Sequence, residues 1–254
     1  MPNKSLENDP FDSLRSLRAS QLRRYANNNN RFRISIVKGM NMKDINISLM
    51  EINDLQESAR VLSVAMLDNP LHYAVFQGKG ENERLEIEKM FNDLFLQLPG
   101  IVFLAKEKNN IIGVMRMKSC RGSKAKEDPK KSEKKSDIGW RKSVWHAEWA
   151  RRDPLEQHWH LGPIGVLPSH QGSGIGSLLM ERFCREVDAC SARAYLETEG
   201  DKNRGFYKKF GFDIISKSII FNVENLYMER VSQTRFDRMH NKAKAADTKS
   251  RAAD

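Results

Sequence analysis

One stretch, Leu161–Met180, reads LGPIGVLPSHQGSGIGSLLM and carries the strongest structural signal in the chain. An apolar segment typical of a strand leads into a glycine-rich turn, and the turn opens an amphipathic helix. Gly172, Gly174 and Gly176 lack Cβ atoms where the backbone must come close to a ligand. The first amides of the helix, together with the helix dipole, favour an anion there. The stretch therefore predicts a turn that holds a pyrophosphate.

Other phosphate-binding loops do not fit this turn. No Lys-Ser or Lys-Thr pair follows the glycines, as a P-loop requires, and the register of a dinucleotide-binding loop fails at Leu179. The spacing Gln171-x-x-Gly174-x-Gly176 instead resembles the acetyl-CoA signature of the GCN5-related N-acetyltransferase (GNAT) superfamily. A second block, Asn203–Phe212 (NRGFYKKFGF), resembles the "N…Y…GF" element of the same superfamily.

The resemblance covers residues 47 to 230 and implies the GNAT fold. This is an α/β fold with a central mixed, twisted sheet flanked by helices, here with a long insertion before the strand that precedes the glycine turn. The segments His158–Leu161 and Leu196–Thr198 are most similar to puromycin N-acetyltransferase-like members. The resemblance also implies which residues bind acetyl-CoA: Ile164, Gly165, Val166, Gln171, Gly172, Ser173, Gly174, Ile175, Gly176, Ser177, Asn203 and Tyr207.

Length and composition agree with one domain with polar appendages, which the resemblance implies to be catalytic. We expect a polar extension over residues 1–44, the domain over 45–232 and a basic tail over 233–254, with a basic and aromatic insertion at 119–157. The net charge of +10 is concentrated in lysine-rich runs without interleaved aromatic residues, so we expect no nucleic-acid partner. No apolar stretch is long enough to span a membrane, and the N-terminus has no hydrophobic signal region, so we expect a cytoplasmic protein. The sequence does not indicate an oligomeric state.

Two features of the chain have competing interpretations. The three cysteines, Cys120, Cys184 and Cys190, are odd in number and lack metal-ligand spacing, so we expect no metal and no disulfide framework. Trp145 and Trp149 lie four residues apart on one helical face. These indoles either pack their helix onto the domain or form the wall of a substrate pocket.

The remaining elements follow from periodicity. Strands are predicted at 46–52, 102–106, 111–117, 194–197, 213–221 and 225–230, with a hairpin turn at Asn109-Asn110. Helices are predicted from Asp54, from Leu71 to Phe76, from Glu83 to Leu98 and from Ile175 to Cys190.

Acetyl transfer to an amine requires a base for the ammonium, stabilisation of the oxyanion and an acid for the leaving thiolate. The resemblance places Tyr207 at the position of the general acid. The backbone N–H of Val166, or of a neighbour, is expected to donate to the thioester oxygen. His160 lies six residues before Val166, at the register that holds the glutamate base in histone-type relatives, and Glu197 is the alternative base. Asn203 either caps its helix or donates to the coenzyme or a strand carbonyl.

The sequence thus predicts an acetyl-CoA-dependent N-acetyltransferase. Its acceptor is predicted to be a small-molecule amine that attacks the thioester directly in a ternary complex. A protein or peptide acceptor, or a non-catalytic acyl-CoA-binding module, are the alternatives.

Overall fold

The computed structural model describes residues 44–98, 100–122 and 137–231. The predicted tail, nearly all of the predicted extension and most of the lysine-rich run lie outside these residues. Within them the strands are β1 (Ile45–Leu49), β2 (Ile101–Glu107), β3 (Asn110–Cys120), β4 (His158–Val166), β5 (Arg193–Glu199), β6 (Asp213–Ile220) and β7 (Val223–Val231). The α-helices are α1 (Leu55–Met66), α2 (Pro70–Phe76), α3 (Glu81–Gln97), α4 (Ile138–Arg152), α5 (Ile175–Ala189) and α6 (Gly200–Lys208).

The seven strands form one mixed sheet in the order β1-β2-β3-β4-β5-β7-β6. Neighbouring strands are antiparallel except for β4 and β5, which are parallel. The predicted mixed sheet flanked by helices is therefore confirmed. The predicted hairpin turn is wrong by one residue, because Asn110 already pairs with Glu107 and the turn lies at Lys108 and Asn109.

Alternating side chains of β2 place helices on both faces of the sheet. Val102 and Leu104 belong to a hydrophobic core that α1, α2, α3 and α4 cover. Phe103, between them, points to the opposite face, where the guanidinium of Arg182 on α5 lies 4.2 Å from its ring centroid. Helix α5 packs against β2, β3 and β4 through a fully buried stripe of residues four apart: Leu179, Phe183 and Val187.

Helix α4 is attached to the sheet by its indoles. Its N-cap, Asp137, accepts a hydrogen bond from the Trp140 amide at 2.6 Å. Trp145 is only 4% exposed and lies edge-on to Trp149, with 5.0 Å between ring centroids. The Trp149 indole N–H donates to the Asn225 side chain at 3.3 Å. Of the two interpretations of these tryptophans, packing of the helix onto the domain is the one the contacts support.

Strands β4 and β5 pair over only two positions, Trp159 with Ala194 and His160 with Tyr195. Strand β4 continues to Val166 along β3, with a register shift at Gly162 and Pro163, which have no partner on β3. Beyond His160 the two parallel strands separate. This divergence leaves a gap in the sheet immediately before the glycine turn, and the residues of the candidate active site lie on the two sides of this gap.

Candidate active site

The glycine turn is closed by its own side chains. A short 3-10 turn, Pro168–His170, follows β4. The Gln171 side-chain amide donates to the Val166 carbonyl at 3.0 Å and so closes the turn. The Ser173 hydroxyl donates to the His170 carbonyl. Because this hydroxyl bonds inside the turn, an anion here would bind to the backbone amides.

The N-terminus of α5 presents those amides to an open space. Gly172 and Gly174 adopt φ values of +78° and +92°, which side chains disfavour, and a Cβ on Gly172 would meet no atom within 4 Å. In α5, Leu178 is the first residue whose amide donates to a carbonyl one helical turn back, that of Gly174, at 3.1 Å. The earlier amides of the helix, on residues 175–177, have no acceptor within it. This cradle fits a pyrophosphate group.

The predicted binding residues on β4 line one side of the gap. Ile164, Gly165 and Val166 pair with β3 along one edge of the strand. Their other edge has no partner on β5, because the pairing of these two strands stops at His160. Backbone amides and carbonyls on that edge are therefore placed to bond a ligand that lies between the strands.

On the other side of the gap, the end of β5 carries a buried carboxylate. Glu199 is 7% exposed and accepts a hydrogen bond from the Asn69 side chain at 2.8 Å. Asn69 is also the N-cap of α2, where its side-chain oxygen accepts from the His72 amide at 2.9 Å. Burial raises the pKa of Glu199 to about 7, against the lowering effect of the Asn69 bond. A carboxyl group with this pKa exchanges protons readily at neutral pH.

Tyr207, the predicted general acid, lies beside this carboxylate. Its side chain is buried between Phe206 and Phe212, with both rings edge-on to it. Burial, and then the negative charge of Glu199, raise the pKa of Tyr207, whereas Thr198 lowers it. The phenol therefore keeps its proton at neutral pH and is a donor.

The two predicted bases, His160 and Glu197, are bonded to each other. The Nε2 of His160 donates to a Glu197 oxygen at 2.6 Å, and the side chains are 13% and 3% exposed. The other ring nitrogen of His160, Nδ1, is buried without a hydrogen-bond partner. Burial opposes the charged form of His160, but the Glu197 carboxylate, with Cys120, raises its pKa.

Next to this pair lies a cluster that the sequence reasoning missed. One ligand atom from each of Cys120, Asp153, His158 and His160 lies within 4.8 Å of the others. Burial alone would raise the pKa of the Cys120 thiol, but the two histidines and the charge of Lys118 lower it. A sequence signal for part of the cluster does exist: residues two apart on a strand share a face, so His158-x-His160 predicts two imidazoles side by side.

Glu199 was also missed, and one prediction nearby is wrong. Asn203 does not cap its helix: it is exposed and lies inside α6, whose N-cap is Glu199. Binding of the coenzyme by Asn203 stays a prediction. No helix within the described ranges combines the length and the apolar composition that crossing a membrane requires.

The comparisons with known proteins agree with this geometry. The model of the acetyltransferase (GNAT) family matches residues 69–212, more than half of the chain. Arylalkylamine N-acetyltransferase 2 from Aedes aegypti is 14% identical, with a TM-score of 0.58 over 74% of this chain and 99% of that one. A structure described as histone acetyltransferase HPA2 and related acetyltransferase, from Corynebacterium glutamicum, is 16% identical, with a TM-score of 0.54 over 74% and 97%. These structures share the fold, whereas the narrower similarity to puromycin N-acetyltransferases stays a prediction.

Proposed function

The chain belongs to the GNAT family of acetyltransferases, and we propose that it transfers the acetyl group of acetyl-CoA to the primary amine of a small molecule. The observation that carries this proposal is the divergence of β4 from β5 directly before the glycine turn. A ligand with a pyrophosphate at one end and an extended chain at the other fits a cradle that continues into a gap between strands.

Acetyl-CoA would be held by backbone groups for most of its length. The amides at the start of α5 would bind the pyrophosphate, with Gly172 leaving room for it. The free edge of β4, at Ile164, Gly165 and Val166, would bond the pantetheine arm. Bound there, the coenzyme supplies a thioester carbonyl for the amine to attack.

Glu199 is our choice of general base. It takes a proton from the substrate ammonium and passes it to solvent, so that the neutral amine forms the new C–N bond as the C–S bond breaks. It then takes the second proton that the nitrogen loses as the amide forms. The Nε2 of His160 is bonded to Glu197 and its Nδ1 is buried beside Cys120, so neither nitrogen is open to an incoming amine. Glu199 has a pKa of about 7, which is near the optimum for proton transfer at neutral pH.

Tyr207 is the proposed general acid, and its hydroxyl proton goes to the leaving sulfur. Its raised pKa keeps that proton in place until negative charge develops on the sulfur. Because Tyr207 and Glu199 are close enough to interact electrostatically, the proton that Glu199 takes up can restore the phenol, directly or through water. The acetyl group never becomes attached to the protein.

The charge of the site favours an amine as acceptor. Glu199 is buried at the end of β5, and its hydrogen-bond partner there is the neutral side chain of Asn69, so its negative charge is not offset by that partner. A cationic ammonium is the group that such a site attracts most strongly. A compact amine reaches buried carboxylates more readily than the side chain of a folded protein.

Release of free thiol from acetyl-CoA, measured with a panel of amines, tests the proposal. The panel contains arylalkylamines, polyamines, aminonucleosides, amino acids and a lysine-containing histone peptide. We expect turnover with a small amine and an acetylated product of the correct mass. Turnover with the peptide alone would replace the small-molecule acceptor, and coenzyme binding without turnover on any acceptor would contradict an enzymatic function.

A further inference from the structure

We propose that Cys120, Asp153, His158 and His160 form a site for a divalent transition metal, with Zn²⁺ as the best match. The four side chains come from three places: the last residue of β3, the residue after α4 and the first part of β4. Their ligand atoms lie within 4.8 Å of one another. This proposal does not depend on the proposed acetyl transfer.

The hydrogen bonds of the two histidines assign which nitrogens face the metal. The Nδ1–H of His158 donates to the Glu156 carbonyl at 2.9 Å, and the Nε2–H of His160 donates to Glu197 at 2.6 Å. Metal-binding histidines commonly hold their second nitrogen in this way, on a carbonyl or a carboxylate. The other nitrogens, Nε2 of His158 and Nδ1 of His160, are buried and have no hydrogen-bond partner among the described residues.

The His158 side chain is only 1% exposed. A ring nitrogen buried this deeply without a hydrogen bond costs free energy unless a ligand binds it. An Asp153 oxygen lies 3.4 Å from its Nε2, within ion-pair distance of a protonated ring but not aligned for a hydrogen bond. A cation between the imidazoles, the thiolate and the carboxylate would satisfy all four groups. The deprotonated ligands would also cancel the charge of a divalent ion, so that the buried centre is neutral.

Ligand chemistry and number favour Zn²⁺. One thiolate, two imidazoles and one carboxylate suit a tetrahedral zinc site with four protein ligands, which is the structural rather than the catalytic type. In a tetrahedral zinc site the ligand atoms are about 3.3–3.6 Å apart. The present separations need small side-chain rotations to reach that spacing, and β3 and β4 already hold Cys120 and His158 opposite each other.

Such a metal would fix α4 to the sheet. Asp153 immediately follows α4, whereas the other three ligands lie on adjacent strands. The ion would therefore join the inserted helix to the wall formed by His160 and Glu197. We expected no metal because the cysteines lack metal-ligand spacing, but a site with one cysteine has no such spacing to detect.

Cobalt binding to the full-length protein tests the site, with EDTA-treated protein as the starting material. Wild-type protein is expected to bind one Co²⁺ with the intense visible bands of a tetrahedral site and a thiolate-to-cobalt charge-transfer band, both removed by one equivalent of Zn²⁺. Cys120→Ser should lose the charge-transfer band and weaken binding at least about tenfold, since loss of a ligand costs no less than loss of a supporting hydrogen bond. Cys184→Ala is the matched control, because Cys184 lies on α5 outside the cluster, and should bind Co²⁺ normally.

A second measurement uses wild-type protein only, so it stands even where a variant fails to fold. Zn²⁺ should slow the alkylation of Cys120 at least tenfold, as followed by peptide mass spectrometry, and leave Cys184 and Cys190 unchanged. Pale, octahedral-type cobalt spectra together with unprotected Cys120 would overturn the proposal and leave Cys120 as a free thiol beside two histidines.

Discussion

Replacing Glu199 by glutamine removes a titrating group and leaves the shape of the side chain nearly unchanged. With a pKa of about 7, the carboxylate fraction is about 10% at pH 6 and about 90% at pH 8. If Glu199 is the base, kcat/KM of the wild-type enzyme should rise about tenfold between these pH values, because only the carboxylate accepts a proton. Glu199→Gln should lower kcat/KM by about 10²–10⁴-fold and remove this pH dependence.

Two variants separate the role of Glu199 from general damage. Asn69→Ala removes the hydrogen bond that lowers the Glu199 pKa, so the rise in kcat/KM should move to higher pH. Asp201→Asn makes the same carboxyl-to-amide change two residues away, on a side chain that is 85% exposed and pairs with Arg204. It should keep the wild-type profile. A pH profile that keeps its rise near 7 in Glu199→Gln would refute the assignment.

The same pKa predicts a change in stability that is independent of catalysis. The native carboxyl titrates near 7 and the unfolded one near 4.5, so the native state binds more protons between these values. The free energy of unfolding should therefore fall as the pH rises through this range, by up to about 3 kcal/mol. Urea unfolding at pH 4.5 and at pH 8 measures this change. From pH 4.5 to pH 8, the unfolding free energy of Glu199→Gln relative to wild type should rise by up to about 3 kcal/mol. An unchanged difference would show that Glu199 titrates normally.

Three further predictions concern other parts of the site and the core. Tyr207→Phe should reduce kcat about 100-fold, as measured by initial rates, because it removes the proton that the leaving sulfur needs. It should leave the acetyl-CoA Kd, measured by calorimetry, within about twofold, because little packing is lost. Unchanged kcat would exclude the acid role. Gly172→Val should raise the acetyl-CoA Kd at least about tenfold by filling the cradle. Gly205→Ala, at an exposed helical glycine, should not change this Kd. Equal Kd values for the two variants would contradict the placement of the pyrophosphate in the cradle. Trp145→Ala should cost about 3–5 kcal/mol of unfolding free energy, against little effect of Leu155→Ala at a 67% exposed side chain; a small loss would show that Trp145 does not anchor α4.

Local signals explain how much of the fold could be predicted. The glycines after β4 and the helix predicted from Ile175 express backbone and periodicity rules that act within a few residues, and the structure confirms them. The hairpin between β2 and β3 was wrong by one residue, because two adjacent asparagines offered two turn positions and Asn110 pairs with Glu107. Such register choices depend on the partner strand, which local sequence does not specify.

The chemistry of the site was less accessible to prediction, for a topological reason. Asn69 and Glu199 are 130 residues apart, far beyond any local pattern, yet their hydrogen bond lowers the pKa of the proposed base against the larger effect of burial. Cys120 and His158 meet only because β3 and β4 pair across the inserted segment. His160 and Glu197 were both identified as candidate bases, but their bond to each other depends on the parallel pairing of β4 and β5.

Strand β4 explains how one element supports both proposed sites. Before the register shift at Gly162 and Pro163, it pairs with β5, and its side chains at His158 and His160 enter the metal cluster. After the shift it leaves β5 and exposes a backbone edge to the gap. Proline has no N–H to donate, so Pro163 weakens β-ladder pairing where the strands begin to part. Side chains therefore act in the first half of the strand and backbone in the second, and a metal bound in the first half would stiffen the wall from which the gap opens.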